Sequence, residues 1–351
     1  MNVQDKPNIL WISTHDTSAW NYGCYGDTYS RTPNVDRLAA EGVRYTRAFT
    51  AGPICSPSRT SIFTGMHPTT LGTHHHRSYV IRPKGVELLP KMLMDAGYAC
   101  TQPDGDLNLY VSEEEYEQYD NSANIWEKHP DDKPFFAYVP FNAVHTPIEA
   151  SKKYLDRFPN VTPHAQKTYN AMVSALDDAV GAIVMALKET QTESNTLVIF
   201  LNDNGGPIYT RIQSNEPLRL GKLFLFEGGI RVPMIMSWPG VLEDDSVYQK
   251  PVSSMDIYPT LCAAAGIKLP SELQLDGVDL LPHLNGEKKA APHKSLFWSN
   301  GPNKAVRIEQ WKMIQAHDHV WLFDLENDIG ESKNLAKAKP EILKKLQAEL
   351  N

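Results

Sequence analysis

A chain of 351 residues is long enough to bury a large core and to hold one main domain with a smaller one beside it. Hydrophobic residues at 41% and charged residues at 22% are ordinary for a soluble globular protein and argue against a disordered or fibrous chain. A formal net charge of −8 argues against a surface that wraps nucleic acid, while leaving room for a buried cationic pocket that takes one small anion.

In chain order, the apolar run Asn8 to Ser13 predicts a buried strand that ends in a polar cluster. Residues 32–42 predict a helix capped by Asn34 and stopped by Gly42. Val43 to Phe49 alternates like a strand, and Leu88 to Ala96 forms a second helix that Gly97 ends. Phe135 to Val139 reads as another buried strand. Ala165 to Glu189 is a long amphipathic helix with Leu176, Val180, Ile183, Val184 and Leu187 on one face. Thr196 to Leu201 and Val232 to Trp238 are further strands. Alternating strands and helices predict a mainly parallel sheet covered on both faces, with the site at the carboxyl ends of its strands. From about Lys294 the texture becomes short strands separated by turns, closed by a helix from Pro340 to Leu350. The expected division is therefore 1–290 and 291–351.

Four cysteines, Cys24, Cys55, Cys100 and Cys262, show no metal-binding spacing, and a single Cys24–Cys100 bridge stays open. No apolar run approaches the roughly 18 residues of a membrane span. The numbered chain opens without a signal peptide, so a periplasmic or secreted location is expected if the start was trimmed and a cytoplasmic one otherwise.

The densest motif is Cys55-Ser56-Pro57-Ser58-Arg59-Thr60-Ser61-Ile62-Phe63-Thr64-Gly65. It resembles the signature of type I, formylglycine-dependent sulfatases. Further segments agree in the same order. They are Pro7 to Leu10 running into His15-Asp16, then Phe141 to Pro147 around His145, then Asn202-Asp203-Asn204-Gly205-Gly206. Last comes Gly221-Lys222 with Glu227-Gly228-Gly229-Ile230-Arg231-Val232-Pro233. The look of Gly72 to Arg77 is similar to bacterial carbohydrate sulfatases.

The resemblance implies an alkaline phosphatase-like three-layer α/β/α sandwich with a small C-terminal antiparallel sheet. It implies a sulfuric ester hydrolase in which another enzyme, a formylglycine-generating or maturase enzyme, oxidises Cys55 to formylglycine. The hydrated aldehyde then attacks sulfur. Asp16, Asp203, Asn204 and the modified Cys55 would hold a divalent cation, Ca2+ with Mg2+ as the alternative. Arg59 and Lys222 would face the sulfate, and His145 would contact it and protonate the leaving group. His15 stands where a second acidic residue is common, and a nitrogen donor suits a hard cation poorly. Its expected place is packing nearby or touching substrate. The family's usual Lys and His after the Gly97 to Thr101 segment are missing from Gln102 to Asn108. One of the consecutive histidines, His75 or His76, is the candidate to reach the substrate instead. The expected substrate is a sulfated carbohydrate or an aryl sulfate ester, with the glycan favoured. A phosphate or phosphonate monoester hydrolase, and a binding protein that has lost turnover, are the alternatives.

Overall fold

The computed structural model describes residues 6–101, 107–109, 133–270 and 272–350. Its centre is an eight-stranded sheet. Seven strands run in the order β3 (Ala99–Cys100), β4 (Phe135–Pro140), β1 (Asn8–Thr14), β5 (Thr196–Asn202), β6 (Arg231–Ser237), β2 (Val43–Phe49) and β7 (Ser246–Tyr248), and β8 (Val252–Ser253) also pairs β2. Strands β3, β4, β1 and β5 are parallel to one another, as are β2, β7 and β8. Strand β6 runs antiparallel to both β5 and β2, an inversion that apolar content alone does not reveal.

Alternation along β1 decides which layer each side chain joins. Ile9 and Trp11 face a core that includes Ile62 and Phe63 of helix α1 (Cys55–Thr64), Leu93, and Ile257 and Leu261. Leu10 and Ile12 face the opposite core, made with Val35, Leu38 and the apolar stripe Leu176, Val180, Val184 and Leu187 of helix α2 (His164–Glu189). Helix α2 is long and apolar enough to cross a bilayer by length and composition alone. That stripe, however, is buried against the sheet.

Two local expectations change. The helix at 33–40 takes Thr32 as its N-cap residue, and Asn34 lies in its first turn. Its free N–H groups are accepted by Asp177 of α2, from Asn34 N at 3.1 Å and Val35 N at 2.9 Å. Gly42 follows the helix because its chain passes so close to β6 that a Cβ would sit 2.4 Å from the Met236 carbonyl oxygen. The Cys24–Cys100 bridge does not form, and all four cysteines are free. Cys100 lies in the core on one face of the sheet while Cys24 packs against the core on the other.

At the C-terminus β9 (Ser295–Asn300), β10 (Asn303–Ile308), β11 (Trp311–Ala316) and β12 (His319–Asp324) form an antiparallel sheet, followed by helix α3 (Pro340–Leu350). One face packs Leu296, Trp298, Ile314 and Phe323 against Phe49, Leu225, Phe226 and Ile230. The other carries α3 through Leu346. The Trp298 Nε1–H donates to the Thr50 carbonyl at 2.8 Å, next to the signature segment. At this junction Lys312, fully buried, reaches Glu227 Oε1 at 3.0 Å and Glu331 Oε1 at 2.9 Å.

Candidate active site

The chain leaving the carboxyl end of β1 aims the first site residues. At Asp16 the backbone takes φ 59°, the left-handed region that Asp tolerates better than most side chains. Successive strand side chains would point to opposite faces; here the kink lets His15 and Asp16 converge. The loop after β4 is laced to them by His15 N–H to Ala143 O at 3.1 Å and Val144 N–H to His15 O at 2.9 Å. That lacing brings His145 in. Its ring stands edge-on to His15 at 4.6 Å, and its Nε2 is 3.7 Å from Asp16 Oδ2.

The loop after β5 supplies Asp203 and Asn204. Asp203 Oδ1 accepts from the Asp16 N–H at 3.2 Å, and Asp203 Oδ2 lies 3.2 Å from the Arg59 guanidinium. Gly205 belongs to this loop for a packing reason. A Cβ there would fall 1.8 Å from the Gly228 carbonyl oxygen, so the Asn-Gly-Gly and Glu-Gly-Gly runs are two backbones in contact. The same closeness sets Lys222, whose N–H donates to Gly206 O at 3.1 Å.

Helix α1 begins at Cys55, and all ten of its residues are buried despite a polar sequence. Three of its hydroxyls are satisfied by nearby carbonyls. Ser61 donates to Pro57 O at 3.0 Å, Thr64 to Thr60 O at 2.8 Å, and Ser58 to Asp203 O at 2.6 Å. The last bond ties the signature helix to the β5 loop. Cys55 therefore sits at a helix N-terminus, where the aligned peptide dipoles favour negative charge.

Lys222 closes the arrangement. Its Nζ is 2.7 and 2.8 Å from the two oxygens of Asp16 and 2.9 Å from Cys55 Sγ. Burial favours the neutral amine, but Asp16 and Cys55 outweigh it and hold the ammonium above its ordinary range. Burial likewise favours a neutral Asp16, yet His15 and Lys222 keep its carboxyl well below the usual carboxylate range. His15 is pulled down by burial and pushed up more strongly by Asp203, Asp16 and Cys55, to about 10.

Ligand atoms of His15, Asp16, Cys55 and Asp203 all lie within 4.8 Å of one another. Beside them Asn204 donates through Nδ2 to Asp16 Oδ1 at 2.7 Å, while its Oδ1 is buried without a partner. Two buried carboxylates, with a partnerless amide oxygen on the neighbouring Asn204, could hold a divalent cation.

The structure thus gathers Cys55, Arg59, Lys222, Asp16, Asp203, Asn204 and His145 into one place. His76 Nδ1 lies 3.0 Å from Ser56 Oγ, adjacent to Cys55, on an exposed rim. His75 is exposed and its ring packs on His74 at 4.3 Å. Sequence reasoning passed over Asn108. Its Nδ2 donates to Thr73 O at 2.8 Å and His75 O at 2.7 Å, and its N–H to Thr60 Oγ1 at 2.9 Å, so it fastens the histidine loop to α1. Nothing in its local pattern marks it. Residues 102–106, where the Lys/His pair is missing, and the acidic run Glu113 to Glu117 lie outside the described residues.

The family model for Sulfatase matches residues 7–103 and 101–267. The chain belongs to the sulfatase family. This sulfatase carries a second match, to N-sulphoglucosamine sulphohydrolase, C-terminal, over residues 219–351. It is 29% identical over 388 residues to the N-acetylgalactosamine-6-sulfatase of Rattus norvegicus, spanning 90% of this chain and 71% of that protein. The crystal structure of Ps i-CgsB in complex with k-i-k-neocarrahexaose superposes with a TM-score of 0.87 at 28% identity, over 98% of this chain and 92% of that one. A phosphonate monoester hydrolase of Agrobacterium radiobacter shares the fold, with a TM-score of 0.77 at 21% identity over 99% of this chain and 96% of that one.

Proposed function

We propose that this sulfatase removes a sulfate group from a sulfated carbohydrate, with Cys55 converted to formylglycine by a separate maturation enzyme. The observation that carries the proposal is Lys222 Nζ bridging Cys55 Sγ at 2.9 Å and Asp16 at 2.7 Å, which joins the nucleophile position to the cation-binding carboxylate. The hydrated aldehyde of formylglycine at residue 55 would supply the oxygen nucleophile, and Asp16, Asp203 and Asn204 would hold a divalent cation that would supply polarisation of the sulfate. The three oxygen donors suit Ca2+ or Mg2+; the neighbouring imidazole of His15 suits neither.

The chain's own residues do the rest. Arg59 and Lys222 set two fixed positive charges beside residue 55, where the anionic oxygens of the ester gather in the transition state. Their counter-charges, Asp203 and Asp16, hold them in place before substrate arrives. His145, about one-third exposed, faces outward from the same cluster and donates the proton that the departing sugar oxygen needs. His76 and His75, on the rim above Ser56, contact the sugar. Similarity to an N-acetylgalactosamine-6-sulfatase and to Ps i-CgsB, whose structure holds k-i-k-neocarrahexaose, supports the substrate class.

The test is co-expression with a formylglycine-generating enzyme, then mass analysis of the peptide containing residue 55. Conversion replaces one sulfur by one oxygen with loss of two hydrogens. The converted enzyme is expected to release sulfate from 4-nitrophenyl sulfate and from sulfated disaccharides. Faster turnover of 4-nitrophenyl phosphate by orders of magnitude would move it to the phosphomonoesterases. Conversion without any turnover would make it a binding protein.

A further inference from the structure

We infer that His15 is a ligand of the bound cation, and that this imidazole turns the site from Ca2+ toward a first-row transition-metal ion such as Mn2+. The inference rests on the proposed cation site of Asp16, Asp203 and Asn204 and adds the identity of the ion. His15 Nδ1 is 3.2 Å from Asp16 Oδ1, 3.4 Å from Asp203 Oδ2 and 4.0 Å from Cys55 Sγ. Neighbouring ligand atoms around one ion with bonds of roughly 2.1–2.5 Å stand about 3.0–3.5 Å apart. An ion shared by those two carboxylate oxygens can therefore take a position at ligand distance from Nδ1 as well.

His15 is held there from several sides. It is 6% exposed, its backbone is bonded in both directions to residues 143 and 144, and the kink at Asp16 aims it inward. The other imidazole of the cluster is placed differently. His145 is about one-third exposed, and its Nδ1 lies 2.7 Å from the Thr146 carbonyl.

Ligand type then decides the ion. Ca2+ and Mg2+ are hard cations that take oxygen, and imidazole is a ligand of the first-row transition ions; Mn2+ is the one among them that also favours carboxylate and carbonyl oxygen, so it fits a set with three oxygens and one nitrogen. With two carboxylates, an amide oxygen and one imidazole nitrogen, the set is mixed, and the nitrogen is the donor that a calcium site would lack.

The experiment uses the full chain with Cys55→Ser, so that no thiolate attracts softer ions, stripped of metal and titrated calorimetrically with Mn2+ and with Ca2+. The expected result is Mn2+ bound at least tenfold more tightly than Ca2+. Adding His15→Asp should reverse the order by tenfold or more, in the range that changes to a metal site's surroundings produce. Electron spin-echo modulation of the Mn2+-loaded protein should show coupling to an imidazole nitrogen, retained in His145→Ala and lost in His15→Asp. If that variant fails to fold, His15→Gln serves in its place. Tighter Ca2+ binding, or no nitrogen coupling, overturns the role of His15 and leaves the cation site standing. Failure of both ions to bind overturns the site and the inference together.

Discussion

Replacing Lys312 by Met tests how the C-terminal sheet is joined to the site-bearing domain. Lys312 on β11 is fully buried between Glu227, which starts the Glu-Gly-Gly turn, and Glu331. Glu227 also has Arg307 at 3.7 Å and Arg231 at 3.6 Å, and with Lys312 these overcome burial and keep its carboxyl below the ordinary value. Glu331 has the weaker support. Burial pushes it up to about 7 despite Lys312. The methionine retains the aliphatic volume and removes the charge, leaving two buried carboxylates short of a cation. Breaking such a pair costs about 3–5 kcal/mol. For a chain of this length that corresponds to a fall in melting temperature of about 4–7 °C.

The sign with pH follows from Glu331. Its folded value lies above its unfolded value of 4.5, so its contribution to stability is complete below that value and is lost as pH rises through about 7. Removing Lys312 raises the folded value further and widens that loss. The melting difference between wild type and Lys312→Met should therefore be larger at pH 8 than at pH 5, measured by differential scanning calorimetry. A fall under 1 °C at pH 8, or equal falls at both pH values, would refute the reasoning.

Two further substitutions probe the site. Lys222→Met removes the ammonium that holds both Asp16 oxygens, and kcat/KM on 4-nitrophenyl sulfate should drop at least 100-fold; steady-state kinetics that change less than threefold would remove Lys222 from the mechanism. Gly205→Ala forces a Cβ to within 1.8 Å of the Gly228 carbonyl oxygen, and neither backbone can move without shifting Asp203 or Lys222. That variant should melt several degrees lower and lose affinity for divalent ions; a wild-type melting curve with unchanged ion binding would contradict the packing argument.

The central strands were readable because burial on both faces demands unbroken apolar runs, and β1, β4, β5 and β6 have them. The orientation of β6 was not, since an apolar run carries no direction. Helix α2 announced its buried face through its period. The cap of the helix at 33–40 did not announce itself, because its acceptor, Asp177, is 142 residues from Val35 in sequence. The four polar segments of the site were recognisable by residue type and order. Asn108 was not, because its role lies in bonds to residues 33 to 48 positions away.

By itself the sequence determined the chemistry on offer: a cysteine in a sulfatase-like signature, two carboxylates, an amide, a lysine and an arginine, with paired glycines in two of the segments. Those are properties of side chains and of short segments, so they survive without coordinates. Only the tertiary structure decided which groups share one place. It put His15 within 3.4 Å of both Asp16 and Asp203, set Lys222 between Asp16 and Cys55, and separated Cys24 from Cys100 by the sheet. The physical reason is that strand order and loop lacing set distances between residues remote in sequence. At this site, distances of 3–4 Å separate a packing histidine from a metal ligand.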